Sequence, residues 1–251
     1  PFTQTAWKLP VAACLVTLPM ILVTWQLARI LRLPRPTQGG FMLAASCINS
    51  IYFAYPVILA TLGDAGLAQA ILFDLGQTTL TLTVLYAVAV WYGSHRAPTG
   101  SALRRFLSSP PLWALTAILL LKLVGLRLPA VARDLLMPLH LTTIPLASVA
   151  LGLSISFSGR GQWRLAALGV TVRMGGGFLF GMTAASLLSL TGVERTVVIL
   201  VAGMPSAVTA VIFTAETGLD EDLVASLVAL SLAVGLALLP WLPEVAVWLG
   251  S

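Results

Sequence analysis

Two prolines stand in the middle of long apolar runs: Pro56 within FMLAASCINSIYFAYPVILATLG and Pro205 within TVVILVAGMPSAVTAVIFTA. A proline inside a helix removes one backbone donor and clashes with the turn before it. Hydrocarbon cannot replace the lost partner, so a helix interrupted at membrane depth persists only where it is buried in protein or lines a cavity. Two interruptions at corresponding places in two halves of a chain point to a substrate site built between inverted repeats.

Composition says that these runs are membrane spans. The 251 residues are 58% hydrophobic and 9% charged, whereas a soluble domain carries about 25% charged residues. A helix needs about 20 apolar residues to cross, and such stretches occur at 10–32, 40–62, 67–92, 110–127, 131–157, 164–190, 195–215 and 222–243. They are too long and too continuously apolar for barrel strands. The fold class is therefore an all-α polytopic membrane protein with about eight transmembrane helices. The longest connection, 93–109, is short enough that one bundle is expected. The lipid bilayer is its first partner.

The net charge of +5 does not point to nucleic acid, because no basic stripe with interleaved aromatics is present. The basic residues sit at span ends instead. Arg29, Arg32, Arg35, Arg96, Arg104, Arg105, Arg160 and Arg164 fall on one side, and Lys8, Lys122, Arg127, Arg133 and Arg195 on the other. The richer side is expected to be cytoplasmic. Cys14 and Cys47 both lie in apolar spans and read as small buried residues, without metal spacing or a disulfide framework. No signal peptide is expected, since Pro1 is followed by polar residues without a charged lead into a cleavage site. The missing initiator methionine suggests that the natural chain begins upstream.

The stretch from Pro56, PVILATLGDAGLAQAILF, and that from Pro205, PSAVTAVIFTAETGLDEDLVASLVAL, share a layout. Each runs through small residues to a Gly/Asp turn, after which a Leu-led helix resumes. The first copy enters its break from the cytoplasmic side and the second from the opposite side, which makes an inverted repeat. The later half, 110–243, holds five spans and the earlier half three, so two N-terminal helices are expected to be missing.

Asn49-Ser50-Ile51-Tyr52-Phe53-Ala54-Tyr55-Pro56, Leu62-Gly63 and Leu72-Phe73-Asp74 resemble the first half of the auxin efflux carrier family. Pro110-Pro111 after a basic loop, Met204-Pro205-Ser206 and the stretch from Glu216 to Ser226 resemble its second half. The resemblance covers roughly 40–243. It implies ten helices in two inverted five-helix repeats, with the fourth and ninth broken and crossing at mid-membrane, as in the bile-acid sodium symporters. It also implies organic anions such as malate or malonate for prokaryotic members, and auxin for plant members. On this mapping the chain starts at the family's third helix. Residues 10–92, the first and incomplete repeat, and 164–243 would form the transport bundle. Residues 93–109 would be a cytoplasmic loop and 110–157 the scaffold. The bacterial plasma (inner) membrane is the expected location, and a homodimer is one assembly open to it.

At each break, unpaired N–H groups and the positive end of a half-helix can face an anion. Asn49, Ser50, Tyr52, Tyr55 and Pro56 at the first break, and Gly203, Met204, Pro205, Ser206 and Thr209 at the second, are the candidate substrate-binding residues. Gly203 is expected to allow a close backbone approach. The bland alternative is a pair of kinked helices whose polar groups are satisfied by their neighbours. Asp74 lies inside a span, where a carboxylate is costly and by default a functional hypothesis. It would couple a proton, hold a cation such as Na+, or cap or pair within the bundle. Arg173 would pair with Asp74, attract the anion, or snorkel to the interface. Its neighbours Gly175, Gly176 and Gly177 read as helix packing rather than a phosphate cradle, since no Gly-Lys-Ser/Thr follows. His140 reads as a hydrogen-bonded interior residue, and the run Glu216, Asp220, Glu221, Asp222 as a solvated turn with Asp220 capping the last helix.

The function expected is a secondary transporter for a small organic anion, working by alternating access, with H+ or Na+ as coupling ion and no cofactor. A non-transporting membrane sensor or assembly subunit with the same fold is the alternative. An intramembrane enzyme is disfavoured: there is no His-Glu-x-x-His, no serine in a Gly-x-Ser-Gly setting, and no pair of aspartates in facing spans.

Overall fold

Each broken span is too short on either side of its break to cross alone, and that fact organises the architecture. The computed structural model describes residues 7–94 and 162–250, and between them 113, 117, 121, 129, 131, 132, 134–139, 142, 146 and 149. Helix α1 (Lys8–Ile30) is followed by α2 (Arg35–Ser46), whose Pro36 lies in the first turn, where no helical N–H is needed. Cys47 is extended (φ −85°, ψ 125°) and ends α2. After Cys47–Asn49 the chain re-enters helix through a wide π-turn, Ser50–Ala54, into α3 (Tyr55–Leu80). Gly63 interrupts α3 with φ 66° and ψ −165°, a conformation that favours glycine. The residues before Gly63 complete the broken span. Those after it run through a second π-turn, Thr81–Leu85, into α4 (Tyr86–Tyr92).

The later half repeats the device. Helix α5 (Trp163–Val170) passes through a π-turn, Thr171–Gly176, into α6 (Gly177–Leu187). Helix α7 (Gly192–Ala202) stops, and α8 (Thr209–Thr217) resumes after an irregular 203–208. Gly218, left-handed at φ 70°, closes α8. Asp220 caps α9 (Glu221–Leu238) by accepting from the Leu223 N–H at 3.1 Å. A 3-10 turn, Leu239–Trp241, leads into α10 (Leu242–Gly250).

Among the described residues, four helical runs are long and apolar enough to cross a membrane: Lys8–Ile30, Ser50–Tyr92, Trp163–Leu187 and Glu221–Val247. Helices α2, α7 and α8 have 12, 11 and 9 residues. At about 1.5 Å per residue none reaches across a core of about 30 Å. Each broken helix therefore crosses only as a pair of halves. This is an all-α polytopic membrane protein.

The broken helices occupy the centre. Every residue of α2 from Gly39 to Ser46, and of α7 from Thr196 to Ala202, is buried, as befits helices apolar on all faces. Helix α1 packs on α2, α3, α6 and α7, while α9 packs on α2, α5 and α8. One end of the bundle gathers Arg35, whose Nη2 donates to Trp91 O at 2.7 Å, and Ser94, whose hydroxyl donates to Gly218 O at 2.9 Å. At that end Asp220 accepts from Thr37 Oγ1 (2.7 Å) and Gln162 Nε2 (3.0 Å). The acidic run is thus more than a solvated turn at Asp220, which joins the starts of α2, α5 and α9. Most of the loop 93–109 and of the spans 110–127 and 131–157, with His140, lies outside the described residues.

Candidate functional site

The two breaks meet. Ile48 and Ser206 pair as an antiparallel bridge, flanked by Asn49 N–H to Pro205 O (2.9 Å) and Ala207 N–H to Cys47 O (3.1 Å). Buried backbone groups must find partners, and here each break supplies those of the other. Ser206 Oγ donates to Ala44 O at 2.6 Å, its N–H donates to Ser231 Oγ at 3.1 Å, and Asn49 Nδ2 reaches Ser206 O at 3.5 Å.

The first break is not where the sequence places it. It falls at Cys47–Asn49, ahead of Pro56, which lies in the first helical turn of α3. The π-turn before Pro56, in which the Tyr55 N–H bonds back to Ser50 O, absorbs the missing donor within a continuous helical run. Pro205 does lie within its break.

Two cavities abut the crossing and share no lining residue. One, of about 190 Å³, is lined by Asn49, Ser50, Tyr52, Asp74 and Thr209 together with Cys47, Gln77, Thr78, Thr81 and Ala207. Its wall includes the starts of both second half-helices, where the Ser50 N–H turns back to Ile48 O (3.1 Å) and the Ala210 and Val211 N–H groups to Ala207 O and Val208 O (3.1 and 2.9 Å). Among the described residues, Asp74, 8% exposed, is the only charged side chain lining it. Tyr55 Oη and Thr78 Oγ1 donate to Asp74 Oδ2 at 3.0 and 3.3 Å. The buried Ser50 hydroxyl lies near the same carboxylate but makes no hydrogen bond of full geometry. Behind Asp74, Thr17 Oγ1 donates to Gln77 Oε1, and Gln77 Nε2 to Thr81 Oγ1 at 3.3 Å. Thr81 stands 3.9 Å from Cys47 Sγ at the break. Among the described residues no group of three or more His, Cys, Asp or Glu gathers to hold a metal.

The other cavity, of about 360 Å³, is apolar and takes in Phe53, Phe178, Gly203, Met204, Pro205 and Gly235. The candidate residues thus divide. Asn49, Ser50, Tyr52, Thr209 and Asp74 share the polar cavity, with Tyr55 bonded to Asp74 from behind. Gly203, Met204 and Pro205 face the apolar one. Pro56 lines neither, and Ser206 is committed to the crossing. Gly203 has ordinary angles, and a Cβ there would come no nearer than 3.5 Å to Phe178, so no close approach requires a glycine.

Arg173 neither pairs with Asp74 nor snorkels. It is 0% exposed, and it donates from Nη1 to Ser46 O at 3.3 Å and from Nη2 to Ala202 O. Gln77, Thr78 and Thr81 are site residues that sequence reading missed. Their signal was helical spacing from Asp74, which puts all four on one face.

Residues 2–243 match the family described as membrane transport protein. The chain is 33% identical over 204 residues to an uncharacterized transporter of Methanothermobacter thermautotrophicus, covering 80% of this chain and 66% of that protein. It is 30% identical over 228 residues to an uncharacterized transporter of Methanocaldococcus jannaschii, covering 87% of this chain and 72% of the relative. Because the match runs through both broken helices and all of α9 to the first residues of α10, the chain belongs to the membrane transport protein family, that of the auxin efflux carriers its motifs resemble.

Proposed function

We propose that this chain is the carrier part of a secondary transporter for a small organic anion such as a dicarboxylate, moving it by alternating access in the plasma (inner) membrane. One observation carries the reading: both second half-helices begin at the wall of the polar cavity that holds Asp74. The positive ends of the half-helix dipoles attract a carboxylate without a buried cation. Residues 10–92 and 164–243 form the moving bundle in this reading, and 110–157 the scaffold.

Asp74 supplies the coupling. Two unit negative charges about 5 Å apart repel by roughly 3 kcal/mol at an effective dielectric constant near 20. Anion binding and neutralisation of Asp74, by H+ or by Na+, therefore favour each other, and the coupling is reciprocal. Tyr55 and Thr78 keep the carboxylate oriented.

The test is counterflow in proteoliposomes with labelled malate, malonate and indole-3-acetate, on this chain and on the full-length protein. Protein-dependent exchange that Ser50→Ala and Pro205→Ala reduce supports an anion carrier. Folded protein that exchanges none of the three would set the anion reading aside in favour of a sensor or assembly subunit.

A further inference from the structure

We infer that Arg173 is the positioning residue of the crossing: its guanidinium ties together the C-terminal ends of both broken helices, and Gly177 makes the room for it. Ser46 is the last residue of α2 and Ala202 the last of α7. Their carbonyls are the two acceptors that Arg173 takes, Nη1 on one and Nη2 on the other. Both ends are orphaned by the breaks and carry the negative poles of their helices. A buried guanidinium without a paired carboxylate is costly, and two helix ends offset that cost while being satisfied themselves. Its Nε has no partner, so the carbonyls alone hold the charge.

The glycine beside this contact fits the same geometry. A Cβ placed on Gly177 would fall on both Arg173 Nη2 and Ala202 O. The third glycine of Arg173-Met174-Gly175-Gly176-Gly177 is thus the space into which the fork reaches, and the motif acts as one unit. Arg173 lines neither cavity. It acts on a ligand only through the placement of the breaks, and this inference is independent of what the carrier binds.

The guanidinium fork separates this role from simple charge. An ammonium is a point charge that cannot span two fixed carbonyls in the same way. Cys47 and Ala207 lie opposite one another beside the Ile48–Ser206 bridge. Opposed residues in such a pair have Cα atoms about 5.5 Å apart, inside the range a disulfide spans. Both line the polar cavity but are buried, so a small membrane-permeant oxidant is used. The experiment introduces Ala207→Cys, with Cys14→Ser, into the intact protein and measures the rate of disulfide formation well below the melting midpoint. Arg173 is compared with Arg173→Lys and Arg173→Met on monodisperse protein. Cross-linking slowed by about tenfold or more in both variants is expected, because the thiols lose their fixed approach. A native rate in Arg173→Lys would show that charge alone suffices and would overturn the two-carbonyl tie. A native rate in Arg173→Met would overturn any positioning role. Should Arg173→Met fail to fold, Arg173→Lys decides alone, since it keeps the buried charge. No substrate enters the assay, so its failure and the failure of the anion reading remain distinct.

Discussion

The two breaks perform the same task with different chemistry. The first, at Cys47–Asn49, carries Asn49 and Ser50, opens toward Asp74 and leaves its proline downstream in a helix. The second holds Pro205 and Ser206 in the break itself, turns Met204 and Pro205 to an apolar cavity, and spends its serine on the partner helix. The two breaks thus share the geometry of interruption while their polar side chains differ, Asn49 and Ser50 lining the polar cavity and Ser206 being committed to the crossing. A serine beside a break is not by that fact a ligand group: its hydrogen bonds decide.

The sharpest way to break this comparison is at Asp74, the charge on the first break's side. Asp74→Asn is expected to abolish uptake driven by a pH gradient, or by a sodium gradient if Na+ is the coupling ion, by about tenfold or more, while counterflow survives. Unaltered gradient dependence would remove Asp74 from coupling and make the two breaks functionally alike.

The two serines come next. Ser206→Ala leaves Ala44 O without its 2.6 Å partner, and losing a buried hydrogen bond in this way costs about 1–3 kcal/mol. Ser50→Ala removes a hydroxyl that makes no hydrogen bond of full geometry, so its melting midpoint should fall less than that of Ser206→Ala while exchange falls. Equal melting losses in the two variants would erase the distinction drawn between them.

The prolines test it more gently. Pro205 is buried, with its ring against Gly235. Pro205→Ala should cost about 1–2 kcal/mol through lost apolar burial and a freer unfolded chain. Pro56→Ala, where the preceding π-turn already accommodates the ring, should cost about 0.5 kcal/mol or less. Thermal unfolding of the purified variants ranks them, and the reverse order would return the first break to Pro56.

The smallest effect lies at the loop end. Partial burial works to raise the Asp220 carboxyl, but hydrogen bonds from Gln162, Thr37 and the Leu223 N–H together outweigh it and hold the group below its ordinary value. A carboxylate with a depressed folded pKa stabilises the fold above its unfolded pKa, about 3.9, and loses that contribution as pH falls through the folded value. Asp220→Ala should lower stability by about 1 kcal/mol at neutral pH. It should also flatten the part of the acid-side loss of melting midpoint that Asp220 contributes. An unchanged acid profile would mean that the joint of α2, α5 and α9 does not depend on this charge.

Much of the fold was legible in order along the chain. Apolar runs of span length gave the helices, Gly63 and Gly218 gave the turns, and Asp220 gave a cap. The location of the first break was not, because a proline announces a missing donor while a π-turn can absorb it silently. Asp74 stood out as a carboxylate in an apolar run, but Gln77, Thr78 and Thr81 did not, since uncharged polar residues are affordable in a span when a neighbour satisfies them. Arg173 was visible as a buried cation, yet its partners were not. They are backbone carbonyls, which every residue possesses and no side chain advertises.

What the sequence determined alone was the solvent, the helical class and the presence of two interruptions. Hydropathy and proline chemistry act locally and need no knowledge of the partner. Only the tertiary structure decided which interrupted backbone groups pair with which. It set Asn49 and Ser50 beside Asp74, committed Ser206 to Ala44, and placed Arg173 between Ser46 and Ala202. Those contacts join residues far apart in the chain through generic backbone atoms, and their specificity comes from packing geometry rather than from residue identity.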